Sequence, residues 1–220
     1  MIRLFDPISG GGAQVLQGHR GGCAALAWCP GQEFMLASGG EDGAVRFWDI
    51  RRPGTLLCLD DKNGNTLSSV PLTARLPLVS LTNATAHSAC VTALHFLPDG
   101  VHLVTAAADK RVKLWDVLSA KNTRREFDLG ARRLEFTRFA RLSSSSDSRL
   151  LAVPVGAGVF LFDTLTNERL TDLEGHFDAV HAAAFNPNIQ EMYTGGGDAV
   201  MQVWKPLSEQ EAIMQEAGEE

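Results

Sequence analysis

One pattern recurs three times in this chain and constrains its fold more than composition does. A histidine (His19, His87, His176) is followed after 23, 22 and 22 residues by an aspartate (Asp42, Asp109, Asp198), and each aspartate precedes a tryptophan (Trp48, Trp115, Trp204) by 6. A hydroxyl residue, Ser38, Thr105 or Thr194, stands 10 before the tryptophan each time. Self-similarity on a period of roughly 40 residues marks an array of units, each burying its apolar face against the next. In the second unit, Val91 to Phe96 alternates at period two, Pro98, Asp99 and Gly100 carry turn chemistry, and Val101 to Thr105 is a second strand. A further turn at 108–111 leads into Val112 to Trp115. The expectation is an all-β chain of short antiparallel strands, four to a unit.

These segments resemble the WD-repeat pattern, and the resemblance implies a WD-repeat β-propeller. It also implies that His, Asp, Ser/Thr and Trp of each blade form one hydrogen-bonded chain: His19, Ser38, Asp42 and Trp48, then His87, Thr105, Asp109 and Trp115, then His176, Thr194, Asp198 and Trp204. A buried carboxylate is tolerable only when its acceptors are filled, and a buried indole wants its N–H paired. A His beside an Asp and a Ser also suggests a hydrolase triad. A trio repeated once per blade is structural instead.

The repeat divides the chain into a half blade (1–16), a blade (17–59), a long loop (60–84), a blade (85–130), a degenerate blade (131–173), a last blade (174–206) and an acidic tail (207–220). Ile2 to Asp6 matches a third strand, with Phe5 and Asp6 in the Trp-Asp place, and Ala13 to Leu16 a fourth. In the degenerate blade Phe162 replaces Trp, Ala152 takes the hydroxyl position and Gly156 that of the turn Asp, so this blade is expected to pack without the polar chain. In the last blade Lys205 follows the Trp where Asp would. Trp48 to Trp115 is 67 residues, whereas Trp115 to Phe162 is 47 and Phe162 to Trp204 is 42, which puts the surplus in the long loop. About 42 residues per blade gives four blades and a half, an open arc of a ring that usually holds about seven. Such an arc reads as a fragment or short form whose end edges invite aggregation.

Within the WD repeats, the segments Leu16–Arg20, Trp48–Arg52, Gly100–Val104, Arg111–Trp115, Leu173–His176 and Asn188–Gly195, with the degenerate blade and the acidic tail, resemble the C-terminal half of the Cockayne syndrome A family. The resemblance implies a nuclear, non-catalytic substrate receptor of a cullin-RING ubiquitin ligase in transcription-coupled nucleotide excision repair. It implies docking on the large subunit of the damaged-DNA-binding protein, the ligase adaptor, and engagement of RNA polymerase II through Cockayne syndrome protein B. The docking box it implies falls on Asp42, Trp48, Asp49 and Arg51. An Arg leaving a strand end offers a planar fork of donors to an acidic or carbonyl-rich partner. Leu118 and Leu165 stand in the Arg place of the next two units, so only one box is complete. The alternative is a generic WD-repeat scaffold, or a truncated isoform without ligase function.

Charge and motifs exclude other classes. With 20 Lys and Arg against 26 Asp and Glu, the net charge of −6 gives no general attraction to nucleic acid or an anionic membrane. The longest uncharged apolar stretch, Leu150 to Phe162, falls short of the roughly 18 residues of a spanning helix, and no secretory segment is read at the start. Cys23, Cys29, Cys58 and Cys90 lack metal-like spacing and are expected to be buried small hydrophobes in a reducing compartment. Between Arg111 and Arg141, nine basic residues face four acids with no aromatic interleaving, which reads as a solvated rim. The tail from Ser208 holds five Glu and no Lys or Arg. No phosphate loop, zinc-protease motif, nucleophile elbow or carboxylate pair is found, so neither an enzyme nor a cofactor or metal is expected.

Overall fold

Runs of four to seven residues rich in Val, Leu, Phe and Trp, punctuated by Asp-Gly, Pro-Asp-Gly and Asn-Pro turns, fold here into strands. The computed structural model describes residues 1–52, 54–59, 85–117, 121–129 and 141–206. The long loop at 60–84, the acidic tail at 207–220 and the first part of the degenerate blade, 131–140, lie outside the described residues.

β1 (Ile2–Phe5) and β2 (Gly12–Leu16) pair antiparallel. β3 (Cys23–Trp28), β4 (Met35–Gly40), β5 (Val45–Asp49) and β6 (Thr55–Cys58) form the first four-stranded sheet. β7 (Val91–Phe96), β8 (His102–Ala107), β9 (Val112–Asp116) and β10 (Lys121–Phe127) form the second. β11 (Ser143–Ser144), β12 (Leu150–Val155), β13 (Gly158–Asp163) and β14 (Arg169–Glu174) form the third. β15 (Val180–Phe185), β16 (Met192–Gly196) and β17 (Met201–Trp204) complete a three-stranded sheet. Each sheet is an antiparallel meander of neighbours in sequence, and no helix occurs among the described residues. The sheets are blades of a partial propeller.

Both faces of the inner blades are buried, because alternate residues serve opposite interfaces. In the first blade Leu36 pairs with Trp48, and both pack on Ile2 and Leu16 of the preceding hairpin. Their neighbours Ala37 and Phe47 turn the other way, onto Val91, Phe96, Leu103 and Trp115 of the second blade. The second and third blades share a third cluster, with Val104, Val112 and Leu114 against Leu151, Val153, Phe160 and Phe162. The outermost faces lack such cover. Leu26 and Trp28 lie on the same face as Trp48 but beyond the two-stranded hairpin, and are 52% and 53% exposed; Met201 of β17 is 71% exposed.

The register corrects one expectation for the degenerate blade. Its β12–β13 hairpin is one residue shorter than the first blade's, Pro154 pairing with Val159 where Gly39 pairs with Val45. Phe162 pairs with Leu151, so Val153, not Ala152, stands where Ser38 stands relative to Trp48. Ala152 faces the last blade, beside Val180 and Ala183. Counting back from Phe162 placed the hydroxyl position one residue early because it assumed a constant hairpin length.

Candidate interaction site

Three side-chain chains repeat from blade to blade. In the first, His19 Nδ1 lies 2.8 Å from Asp42 Oδ1, His19 Nε2 lies 2.7 Å from Ser38 Oγ, and Trp48 Nε1 donates to the same hydroxyl oxygen at 2.7 Å. In the second, His87 meets Asp109 at 3.0 Å and Thr105 Oγ1 at 2.7 Å, and Trp115 Nε1 donates to Thr105 Oγ1 at 2.9 Å. In the last, His176 meets Asp198 and Thr194 at 2.9 Å each, with Trp204 Nε1 also at 2.9 Å from Thr194 Oγ1. A carboxylate only accepts, so Nδ1 carries the ring proton; Nε2 then accepts from the hydroxyl, which in turn accepts the indole N–H. Every polar atom of the chain is paired with the imidazole neutral.

In the first blade the electrostatics agree. Burial pushes the His19 pKa below its ordinary value against the opposing pull of Asp42. Burial pushes the Asp42 carboxyl up, but the backbone N–H of Arg20, the His19 ring and the N–H of Ala44 together hold it below its usual range. Asp109 and Asp198 are lowered in the same way, burial being outweighed by a His ring and two backbone N–H groups. Each Asp thereby ties the turn after the second strand to the connector that carries the His.

A fifth position joins the tetrads and has no signal in residue type. Two residues before each Trp stand Arg46, Lys113 and Gln202. Lys113 Nζ donates to the carbonyl of Ala86 at 3.0 Å, and Gln202 Nε2 to the carbonyl of Gly175 at 2.6 Å. Both carbonyls directly precede the tetrad His. Arg46 places Nη2 3.7 Å from Asp42. Lys113 is therefore buried between strand and connector, which corrects the reading of the Arg111–Arg141 stretch as wholly a solvated rim. Arg111 is exposed and pairs with Glu126; Arg132, Arg133 and Arg138 lie outside the described residues, as do the side chains of Lys121, Arg124 and Arg125.

The residues of the docking box split between two places. Asp42 and Trp48 belong to the tetrad, and Trp48 is fully buried. Asp49 and Arg51 sit where β5 leaves the sheet. The buried Asp49 carboxylate accepts Arg51 Nε at 2.9 Å and Arg51 Nη2 at 2.7 Å, and also the Arg51 backbone N–H at 2.9 Å. The Arg51 guanidinium and, against it, burial set the Asp49 pKa, which falls to about 2. The guanidinium also lies over the Phe34 ring, 4.3 Å from its centroid. One edge and one face of the guanidinium are thus committed within the chain, and the 56% exposed side chain keeps its remaining donors available to solvent or a partner.

The four cysteines carry free thiols: Cys29 and Cys58 are buried, Cys23 and Cys90 half-buried. Burial pushes the Cys23 and Cys29 thiols up, away from reactive thiolate. Among the described residues no group of three or more His, Cys, Asp or Glu side chains converges as a metal site would.

Antiparallel four-stranded blades locked by a His-Ser/Thr-Asp-Trp chain define a WD-repeat protein of the interaction-scaffold class. The chain belongs to the WD40 family (WD domain, G-beta repeat), which matches residues 12–49, 78–116 and 167–205. It is similar to the WD repeat-containing protein ATCSA-1 of Arabidopsis thaliana, with 32% identity covering 100% of this chain and 61% of that protein. It is also similar to the B-type cell cycle switch protein ccs52A of Medicago truncatula, with 33% identity over 51% of this chain and 28% of that protein. A third relative is cell division cycle 20.1, cofactor of APC complex, of Arabidopsis thaliana, at 27% identity over 49% of this chain and 28% of that protein. The chain thus spans 28% to 61% of the length of these curated relatives.

Proposed function

We propose that this WD-repeat scaffold is a non-catalytic, nuclear substrate receptor of a cullin-RING ubiquitin ligase acting in transcription-coupled nucleotide excision repair. The observation that carries the reading is the Asp49–Arg51 fork. A guanidinium pinned by a buried carboxylate and stacked on Phe34 has already lost its rotamer freedom, so its free donors meet a carbonyl or carboxylate of a partner at little further entropic cost. On this reading the partner is the ligase adaptor, the large subunit of the damaged-DNA-binding protein. Cockayne syndrome protein B and, through it, RNA polymerase II are the further partners of this reading. Support comes from the sequence resemblance to the Cockayne syndrome A family and from relatives named as cofactors of a complex.

Co-purification of the tagged chain with the adaptor subunit tests the reading. Wild type is expected to retain the adaptor and Arg51→Ala to lose most of it. Absence of the adaptor from the wild-type sample overturns the reading and leaves a WD-repeat scaffold without ligase function.

A further inference from the structure

The degenerate blade lacks an Arg two residues after its strand-end Asp; Leu165 stands there. Its Asp163 is nonetheless buried and occupied much as Asp49 is. Asp163 Oδ1 accepts the backbone N–H groups of Leu165 at 2.8 Å and Thr166 at 3.2 Å, and Asp163 Oδ2 accepts Arg149 Nε at 3.2 Å. Arg149 comes from the neighbouring strand of the same hairpin, directly before β12, whose first residue Leu150 pairs with Asp163.

Its position is equivalent to a residue of the first box. In the first blade the residue after Asp49 donates its N–H to the carbonyl of Phe34 (Ile50 N to Phe34 O, 3.0 Å). In the third blade the residue after Asp163 donates to the carbonyl of Arg149 (Thr164 N to Arg149 O, 2.8 Å). Arg149 therefore occupies the place of Phe34, and Leu165 the place of Arg51. The same two components, a guanidinium on a buried carboxylate and an exposed apolar side chain, flank the strand-end Asp with their chain positions exchanged. Arg149 is 63% exposed in its side chain and Leu165 is 67% exposed.

The two sites lie on one rim. The turn of the second blade is wedged between them: a Cβ on Gly100 would stand 2.9 Å from the Pro30 carbonyl oxygen, and the Asp99 N–H donates to Ser148 Oγ at 3.1 Å. Ser148 directly precedes Arg149, and its positive φ of 62° shapes the turn that delivers the guanidinium. Lateral contacts thus fix the spacing of the two forks across three adjacent blades.

We propose that Arg149, Asp163 and Leu165 form a permuted second docking box, and that the partner engaging Arg51 bridges both guanidiniums with an acidic or carbonyl-rich surface. This rests on the adaptor-docking reading above. Arg side chains held by carboxylates and set beside apolar contacts are the residue type that dominates interface energetics.

The test is the dissociation constant of the purified full chain for the adaptor subunit, measured by surface interferometry for wild type, Arg51→Ala, Arg149→Ala and Leu165→Glu. Leu165→Glu changes an exposed side chain, and its carboxylate would repel an acidic partner without touching the core. The expected result is about tenfold weaker binding for each variant, a change that hot-spot positions commonly produce. If Arg51→Ala weakens binding while Arg149→Ala and Leu165→Glu do not, the second box is overturned and the first stands. If the wild-type chain does not bind the adaptor, both fall together.

Discussion

The backbone carbonyl of Gly43 accepts the backbone N–H of His87 at 3.0 Å, so the turn of the first blade holds the histidine of the second. Gly43 has φ +71°, and a Cβ there would run into the His87 carbonyl oxygen. Gly43→Ala should therefore destabilise the chain by about 1–3 kcal/mol, through both backbone strain and that clash. The equivalent Ala199 in the last blade has φ 60°. Ala199→Gly should be stabilising by up to about 1 kcal/mol. Urea unfolding midpoints, moving in opposite directions for the two variants, check this pair.

Ser38 and Val153 occupy equivalent positions with opposite chemistry. Ser38→Ala strands the Trp48 indole N–H and His19 Nε2 in a buried site and should cost about 1–3 kcal/mol. Val153→Thr, placed among Leu151, Phe160 and Phe162, buries a hydroxyl without a partner and should cost a comparable amount although it restores the family's residue type. A stabilised Val153→Thr protein in denaturant titration would contradict the dry packing described for the degenerate blade.

Lys113 and Gln202 share a terminal donor to the carbonyl before the tetrad His, and Lys113 Nζ lies in addition 3.8 Å from the half-exposed Glu126 carboxylate, a pair worth little at such exposure. Lys113→Gln retains an amide donor for the Ala86 carbonyl and should stay within about 1 kcal/mol of wild type, whereas Lys113→Ala should lose about 1.5–3 kcal/mol. Thermal melts of the two variants separate these outcomes.

Stability should fall steadily on acidification. His95 donates to or accepts from Ser144 Oγ at 2.9 Å, and burial pushes its pKa down to about 4; that of His19 is lowered too. An unfolded His titrates near about 6.5. The unfolded chain therefore takes up protons that the fold refuses, and the stability present above that pH is lost as pH falls through the folded values. The Asp49, Asp42, Asp109 and Asp198 carboxyls add a second loss, beginning near the unfolded value of about 3.9 and ending near the folded Asp49 value of about 2. Melting midpoints from pH 7.5 to pH 3 should decline throughout, and His95→Gln should make the slope between pH 6.5 and pH 4 shallower.

The all-β fold and the blade order were legible because His, Ser/Thr, Asp and Trp recur at fixed spacings, and fixed spacing follows from fixed hairpin length. Where one hairpin is a residue shorter, spacing from the aromatic points to Ala152 although Val153 holds the position. Arg46, Lys113 and Gln202 were invisible for a different reason. Their common function is a long side chain with a terminal donor, which a search by residue identity does not group. Arg149 was hidden because a carboxylate can recruit its guanidinium across a hairpin as readily as along a strand, and only the register shows which strand supplies it.

The apolar cluster shared by the second and third blades also sets how the molecule comes apart. A stack in which each sheet touches only its neighbours behaves as a one-dimensional chain of couplings, and such chains unzip from their weakest ends. The β1–β2 hairpin is joined to the rest through a small cluster, while Val104, Leu114, Phe127, Leu151 and Phe162 bind the middle through a large one. Amide exchange should therefore be faster at Ile2–Leu16, held through the small cluster, than in the strands flanking the large central seam, so that this seam behaves as the nucleus of the array.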